Sequence, residues 1–232
     1  MGTLIIIEGG DGSGKATQTS LLYNRLQQEG YAVKAVSFPN YESGAAMPIK
    51  MYLNGDFGKN PKDVNPYVAS TMYAIDRFAS FRQDWKDFYE AGGIILADRY
   101  TTSNMVHQMV KYTDEDERNH FLNWLEDFEF VKFELPRPDM VCLLNVPLAT
   151  SEALMAERKG KTGGATGDIH EKDCLYLTSV HNAYDELVER YGWDCINCTE
   201  STGEMVELMR SIESIHEDIY ERIQRVLPLK NH

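Results

Sequence analysis

Seven residues near the start of the chain, Gly9 to Lys15, read GGDGSGK. Glycines at this density let successive backbone N–H groups converge on one anion, and a helix starting just after them adds about half a positive charge at its N-terminus. Lys15 brings a full charge to the terminal phosphates of a bound nucleotide. The G-x-x-x-x-G-K spacing, set between an apolar run and a helical pattern, is that of a phosphate-binding loop. Its candidate ATP contacts are Gly10, Asp11, Gly12, Ser13, Gly14, Lys15, Ala16 and Thr17. One position departs from the pattern. The residue after the lysine should carry a hydroxyl for Mg²⁺, and here it is Ala16. Thr17 follows, but one step along a helix turns a side chain by about 100°, so Thr17 is no ready replacement. The remaining metal candidate is Asp98, in LADRY, where a carboxylate at a strand end can anchor Mg²⁺ that keeps its waters and phosphate oxygens. Arg99 beside it can fork two donors onto a phosphate.

The chain of 232 residues has a formal charge of −13. That balance opposes a nucleic-acid partner, whose backbone rewards a basic face, and leaves small-molecule nucleotides, which need only a few local cations. No run approaches the roughly 20 apolar residues of a membrane span, and the N-terminus lacks a basic signal region, so no membrane partner and a cytoplasmic location are expected. Cys195 and Cys198 form a single C-x-x-C with no second pair at zinc spacing, which favours small packing residues over a metal or redox site. Cys174 stands where H-E-x-x-H would need its second histidine after His170–Glu171, which removes a zincin reading.

These residues need a scaffold, and strand and helix patterns alternate to supply one. Strands are expected at Thr3–Glu8, Ala32–Phe38, Gly93–Asp98, Met140–Val146 and Asp194–Asn197. Helices are expected from Thr17 to about Glu29, from Pro66 toward Gly92, from Asp114, up to about Arg158, over Glu171–Tyr191 and over Glu204–Val226. On the helix opened by Asn65-Pro66, the stripe Val68, Met72, Ile75, Ala79 and Arg82 reads as the packed face. The segment 159–168, KGKTGGATGD, is a glycine-rich surface loop or a lid at about 158–171. The expected fold is α/β: one P-loop NTPase domain over 1–232, a mostly parallel sheet of about five strands, helices on both faces and a short lid. Ligands of such sheets bind beyond the carboxyl ends of the strands.

The pieces EGGDGSGK, FPNYES, YAIDRFAS, DRYTTSN, LPRPDMVCLLNV and GDIHE, in this order, resemble the thymidylate kinases over nearly the whole chain, especially bacterial forms with an FP-x-Y segment. The resemblance implies ATP and Mg²⁺ as cofactors, a homodimer, and transfer of the ATP γ-phosphate to dTMP. It implies that Phe38 covers the pyrimidine, Tyr73 adds a second ring, and Arg77 and Asn104 read the base. Asp11 would stand near the sugar 3′-hydroxyl, Tyr41 near sugar and phosphate, and Arg99 on the acceptor phosphate. Glu171 would help close the site, while Arg158, Lys159 and Lys161 would supply lid charge, since Gly12 leaves the loop without the arginine some relatives carry. Independently, Tyr73 and Arg77 are four apart and share a helix face. Where relatives place a tyrosine close to C2′ of the sugar, this chain has His107, which is smaller and can hydrogen-bond. Either exclusion of a ribose hydroxyl is relaxed, or His107 is a tolerated rim residue.

An acceptor phosphate with a second pKa near 6 is largely ionised at neutral pH, so transfer onto it needs no base. The proposed machinery is Lys15, Arg99, Asp98, Arg158 and Lys161. A deoxynucleoside kinase would need a carboxylate at the 5′-hydroxyl, with Asp11 or Glu42 as candidates. A kinase of another nucleoside monophosphate, and a nucleotide switch without turnover, are further alternatives; only Ala16 favours the last.

Overall fold

The computed structural model describes residues 1–162, 174–201 and 207–229, and the side chains within 157–162 and at 174, 201 and 207 lie outside that description. Its centre is a parallel sheet of β1 (Thr3–Gly9), β2 (Val33–Ser37), β3 (Ile94–Asp98), β4 (Met140–Asn145) and β5 (Asp194–Asn197), in the order β2-β3-β1-β4-β5. Leu4 and Ile6 pack on one side, Ile5 and Ile7 on the other, all with no exposed surface. A strand buried on both faces reads as a continuous apolar run, which is why Leu4–Ile7 lacks alternation.

Helices α1 (Lys15–Gln28) and α9 (Ile212–Ile223) cover one face through Leu22, Leu26, Ile215, Ile219 and Ile223. Gly30 stops α1 in the left-handed region: its N–H donates to Gln27 and that of Tyr31 to Leu26, the paired bonds of a Schellman end. The other face carries α3 (Pro66–Ser80), which runs through a π-helical turn at Phe81–Trp85 into α4 (Lys86–Glu90). It also carries α5 (Thr101–Met109), α6 (Glu115–Glu126), which ends in a second π-helical segment at Asp127–Lys132, and α8 (Cys174–Tyr191). Between β2 and α3 lies the short α2 (Met47–Leu53), and α7 (Leu148–Thr162) follows β4.

Several expectations need correction. The stripe read as the packed face of α3 is only partly packed: Met72 is half-buried against Tyr52, Val64 and Ala69, and Ala79 is half-buried, but Val68 and Ile75 are 50% and 42% exposed, and Arg82 is exposed. The buried face holds Ala69, Ser70, Ala74, Asp76 and Arg77, small or polar residues that pack closely and border a cavity. The segment expected as helix from Glu204 contains β7 (Glu207–Met209), paired antiparallel with β6 (Thr199–Ser201), and α9 starts only at Ile212 after the Ser211 cap. The helix expected to end near Arg158 continues to Thr162, so the first residues of KGKT are helical; 163–173 lie outside the described residues. Helices α2 and α5 were not marked by the sequence pattern.

Candidate active site

The loop after β1 and the N-terminus of α1 build a phosphate cradle. Gly12 and Gly14 take φ of 81° and 91°, values that side chains disfavour. A Cβ on Gly12 would also stand 3.1 Å from both Met155 Cγ and the Ser151 carbonyl of α7. The same helix fixes the loop by a bond from Ser151 Oγ to the Asp11 carbonyl at 2.9 Å. Lys15 is buried and folds back, donating to the carbonyls of Gly9 (2.9 Å) and Gly10 (2.8 Å). Its burial pushes its pKa down to about 8, with Arg99 adding in the same direction. Ala16 and Thr17 are exposed on α1.

Parallel pairing of β1 with β3 brings Ile7 level with Asp98 and so delivers Asp98 and Arg99 to this loop. Arg99 has φ of 68°, a left-handed conformation costing on the order of 1–3 kcal/mol for a non-glycine residue. That turn points its guanidinium at Asp11, which it bonds, at Ser103 Oγ (3.3 Å) and at Glu8 (3.7 Å). The Arg99 charge, helped by Lys15, holds the Asp11 carboxyl well below the usual carboxylate range. Burial pushes Asp98 upward against the pull of Lys15 and Arg99. Glu8, fully buried, accepts from Thr102 (2.7 Å), Ser103 (2.7 Å) and Tyr184 (3.0 Å), tying β1 to α5 and α8.

Beyond Arg99 lies a concave cleft open to solvent at one side. It gathers residues from distant segments: Asp11 and Arg99 at the phosphate end, Phe38 and Tyr41 after β2, Tyr73 and Arg77 from α3, and Asn104 and His107 from α5. Phe38 is nearly buried, its ring 5.9 Å from that of Tyr100. The Asn40 N–H just beyond it donates to buried Asp76 at 2.8 Å. Tyr73 meets Tyr52 edge-on at 6.5 Å, and Tyr41 is 45% exposed at the mouth. His107 is half-buried; its Nδ1 lies 3.1 Å from the Tyr176 hydroxyl, which donates to the His107 carbonyl at 2.9 Å. The side chains of Arg158, Lys159, Lys161 and Glu171 lie outside the described residues.

Arg77 does not hang free in the cleft. Its Nε and Nη2 donate to the two oxygens of Glu129, at 2.7 and 2.5 Å, and both side chains are buried. Glu129 also accepts from Thr101 Oγ1 (2.7 Å) and Asn104 Nδ2 (3.4 Å). Sequence reading missed Glu129, because an acid within DFEFVKF carries the pattern of a solvated helix end. Gln108 was missed as well. It is fully buried, lines the cleft, and has no hydrogen-bond partner on either amide atom; its i+4 spacing from Asn104 was the available signal. The cysteines contribute packing: burial pushes the thiol of Cys198 up to about 12 and raises that of Cys195.

A glycine cradle with its lysine, at the carboxyl end of a parallel sheet and facing a cleft across an arginine, defines a P-loop kinase acting on nucleotides. The family model for thymidylate kinase matches residues 7–209, and the chain belongs to that family. It is 28% identical over 191 residues to the thymidylate kinase of Mycobacterium tuberculosis (strain CDC 1551 / Oshkosh), covering 82% of this chain and 87% of that protein. A probable thymidylate kinase of Thermococcus gammatolerans is 28% identical over 223 residues, 94% of each chain. Among solved structures, the thymidylate kinase of Candida albicans superposes with a TM-score of 0.67 at 21% identity, over 97% of this chain and 92% of that one, a likeness of fold.

Proposed function

We propose that this enzyme moves the γ-phosphate of ATP onto dTMP, with ATP on the glycine loop and dTMP in the cleft beyond Arg99. The observation that carries this reading is the convergence of Phe38, Tyr73, Arg77 and Asn104 on one cleft whose phosphate end is Arg99 and Asp11. Phe38 and Tyr73 flank the base, Arg77 and Asn104 read its edge, and Gln108 adds amide hydrogen bonds. Lys15 exchanges the Gly9 and Gly10 carbonyls for phosphate oxygens. Arg99 exchanges Asp11 for the acceptor phosphate, which leaves Asp11 to the sugar hydroxyl. Arg158, Lys161 and Glu171 act as the closing charges of a lid at about 158–171.

Magnesium fits the residues present. Asp98 offers a half-buried carboxylate beside Lys15 and Arg99, and Mg²⁺ bound with phosphates and waters needs little more from the protein. Among the described residues no group of three His, Cys, Asp or Glu side chains could hold a metal alone. When bound, Mg²⁺ neutralises charge on the transferred phosphates. An acceptor hydroxyl in place of a phosphate would require a base, and Asp11, paired with Arg99 and lowered in pKa, is a poor one.

A homodimer forms across α3. Val68, Ile75 and Phe78 make an exposed apolar stripe there, joined by Val131, with Phe78 against Phe133 at 5.3 Å. Sedimentation of Ile75→Glu as a monomer where the parent is a dimer checks this; dimers in both place the interface elsewhere. A coupled ADP-release assay tests the reaction, with dTMP, dUMP, UMP, dCMP, dGMP, AMP and thymidine as acceptors, with and without Mg²⁺. Magnesium-dependent turnover strongest with dTMP is expected. Turnover of thymidine alone would make the protein a nucleoside kinase, and ATP binding without turnover would make it a switch.

A further inference from the structure

We propose that Glu129 is a positioning residue that sets which pyrimidine edge the cleft accepts, favouring a 4-oxo, N3–H base over a 4-amino base. The inference rests on the acceptor site assigned above and concerns a residue that never touches the nucleotide. A carboxylate only accepts hydrogen bonds. Glu129, at the end of α6 in a π-helical segment of the kind often found at functional sites, uses that one-sidedness on two neighbours.

The first is Arg77. Its Nε and Nη2 are consumed by the fork to Glu129, leaving Nη1 with only a 3.4 Å bond to the Tyr100 carbonyl. Arg77 therefore presents a fixed donor to the cleft. The second is Asn104. Its Nδ2 lies 3.4 Å from Glu129 and 3.3 Å from the Ser70 carbonyl, both acceptors, so turning the amide over would set oxygen against oxygen. The Asn104 Oδ1 is left buried and unpartnered on a cleft-lining residue.

The pair then offers one donor and one acceptor to the same cleft. Thymine and uracil present O4 as acceptor and N3–H as donor, which match. Cytosine presents an amino donor and a bare N3, which oppose both partners. Without the carboxylate, Asn104 loses the reason for its orientation. In Glu129→Gln the new amide can keep its oxygen on Arg77 Nε and Thr101 and set its NH₂ where Oε1 stood, opposing Arg77 Nη2 and Asn104 Nδ2; Asn104 then reverses and shows Nδ2 to the cleft. That edge matches cytosine and opposes thymine at N3, leaving only the Arg77 donor against the 4-amino group.

The test is the ratio of kcat/KM for dTMP over dCMP in the parent and in Glu129→Gln, with the KM for ATP as control. The ratio should fall about 30-fold, the scale of one mispaired buried polar group, through KM for the acceptors and with ATP unaffected. A folded variant that keeps the parental ratio overturns the role given to Glu129 and leaves the dTMP assignment standing. A parent that turns over neither nucleotide overturns both. Should the variant not fold, N3-methyl-dTMP binding to the parent decides. The Asn104 Oδ1 should reject the methyl with about a 100-fold loss against dTMP, and equal binding contradicts the fixed amide.

Discussion

The two ends of the site hold their charges in opposite ways. At the phosphate end, the cations rest on partners they can leave: Lys15 on two loop carbonyls, Arg99 on the half-exposed carboxylate of Asp11. At the base end, Arg77 is locked to a carboxylate with no exposed surface, and Asn104 is held by the same group. Removing a loop carbonyl from Lys15 costs a charge-assisted hydrogen bond that a phosphate oxygen replaces. Removing Glu129 would strand a buried charge, which costs about 3–5 kcal/mol in comparable pairs. With ATP and dTMP placed as proposed, the phosphate end would rearrange when ligand arrives, and the base end is built before it arrives.

The largest expected effect is at the rearranging end. Lys15→Ala should lower kcat by about 10³-fold, the scale of losing a preorganised charge on the transferred group, and leave dTMP binding near the parental value. Loss of dTMP affinity of similar size, read by calorimetry, would show that the two ends are not separable.

A smaller change is expected where they meet. His107 borders the cleft with its ring held by Tyr176. His107→Tyr should raise the kcat/KM ratio of dUMP over UMP by about tenfold through added bulk beside C2′. An unchanged ratio would place His107 away from the sugar.

An effect of similar size is expected from pH. Burial lowers Lys15 to about 8, and bound phosphates favour its charged form. Below pH 8 the lysine is protonated before and after binding, so affinity for ATP from this source is flat. Above pH 8 binding must take up a proton, and affinity should fall by about tenfold between pH 7 and 9. Calorimetry in buffers of different ionisation heat should register proton uptake at pH 9 and none at pH 7; uptake absent at both would mean the phosphates leave Lys15 unchanged.

The same contrast explains what could be read from the sequence. The cradle is contiguous, Gly9 to Thr17, so its chemistry is written as a spacing. Asp98 and Arg99 followed because an apolar run marks a strand and its carboxyl end, while its place beside β1 is seen only in the fold. The base end is assembled from α3, α5, the turn after β2 and the end of α6, and a linear pattern does not show that Glu129 meets Arg77 across the fold. Hydrophobic periodicity misled on α3, where the buried face is Ala69, Ala74 and Arg77 and the apolar face is only partly packed. Periodicity reports where apolar residues lie, and on α3 some of them lie on the exposed side. Likewise, the short strands β6 and β7 carry too few residues for a period-2 signal, and their span was absorbed into the following helix.

The central claim is that ATP and dTMP occupy separate subsites that meet at Arg99 and Asp11. Calorimetric titration of dTMP into protein saturated with a nonhydrolysable ATP analogue tests it most directly. The account predicts one dTMP bound per chain, with affinity at least equal to that for the free protein. Competition between the two ligands would contradict it.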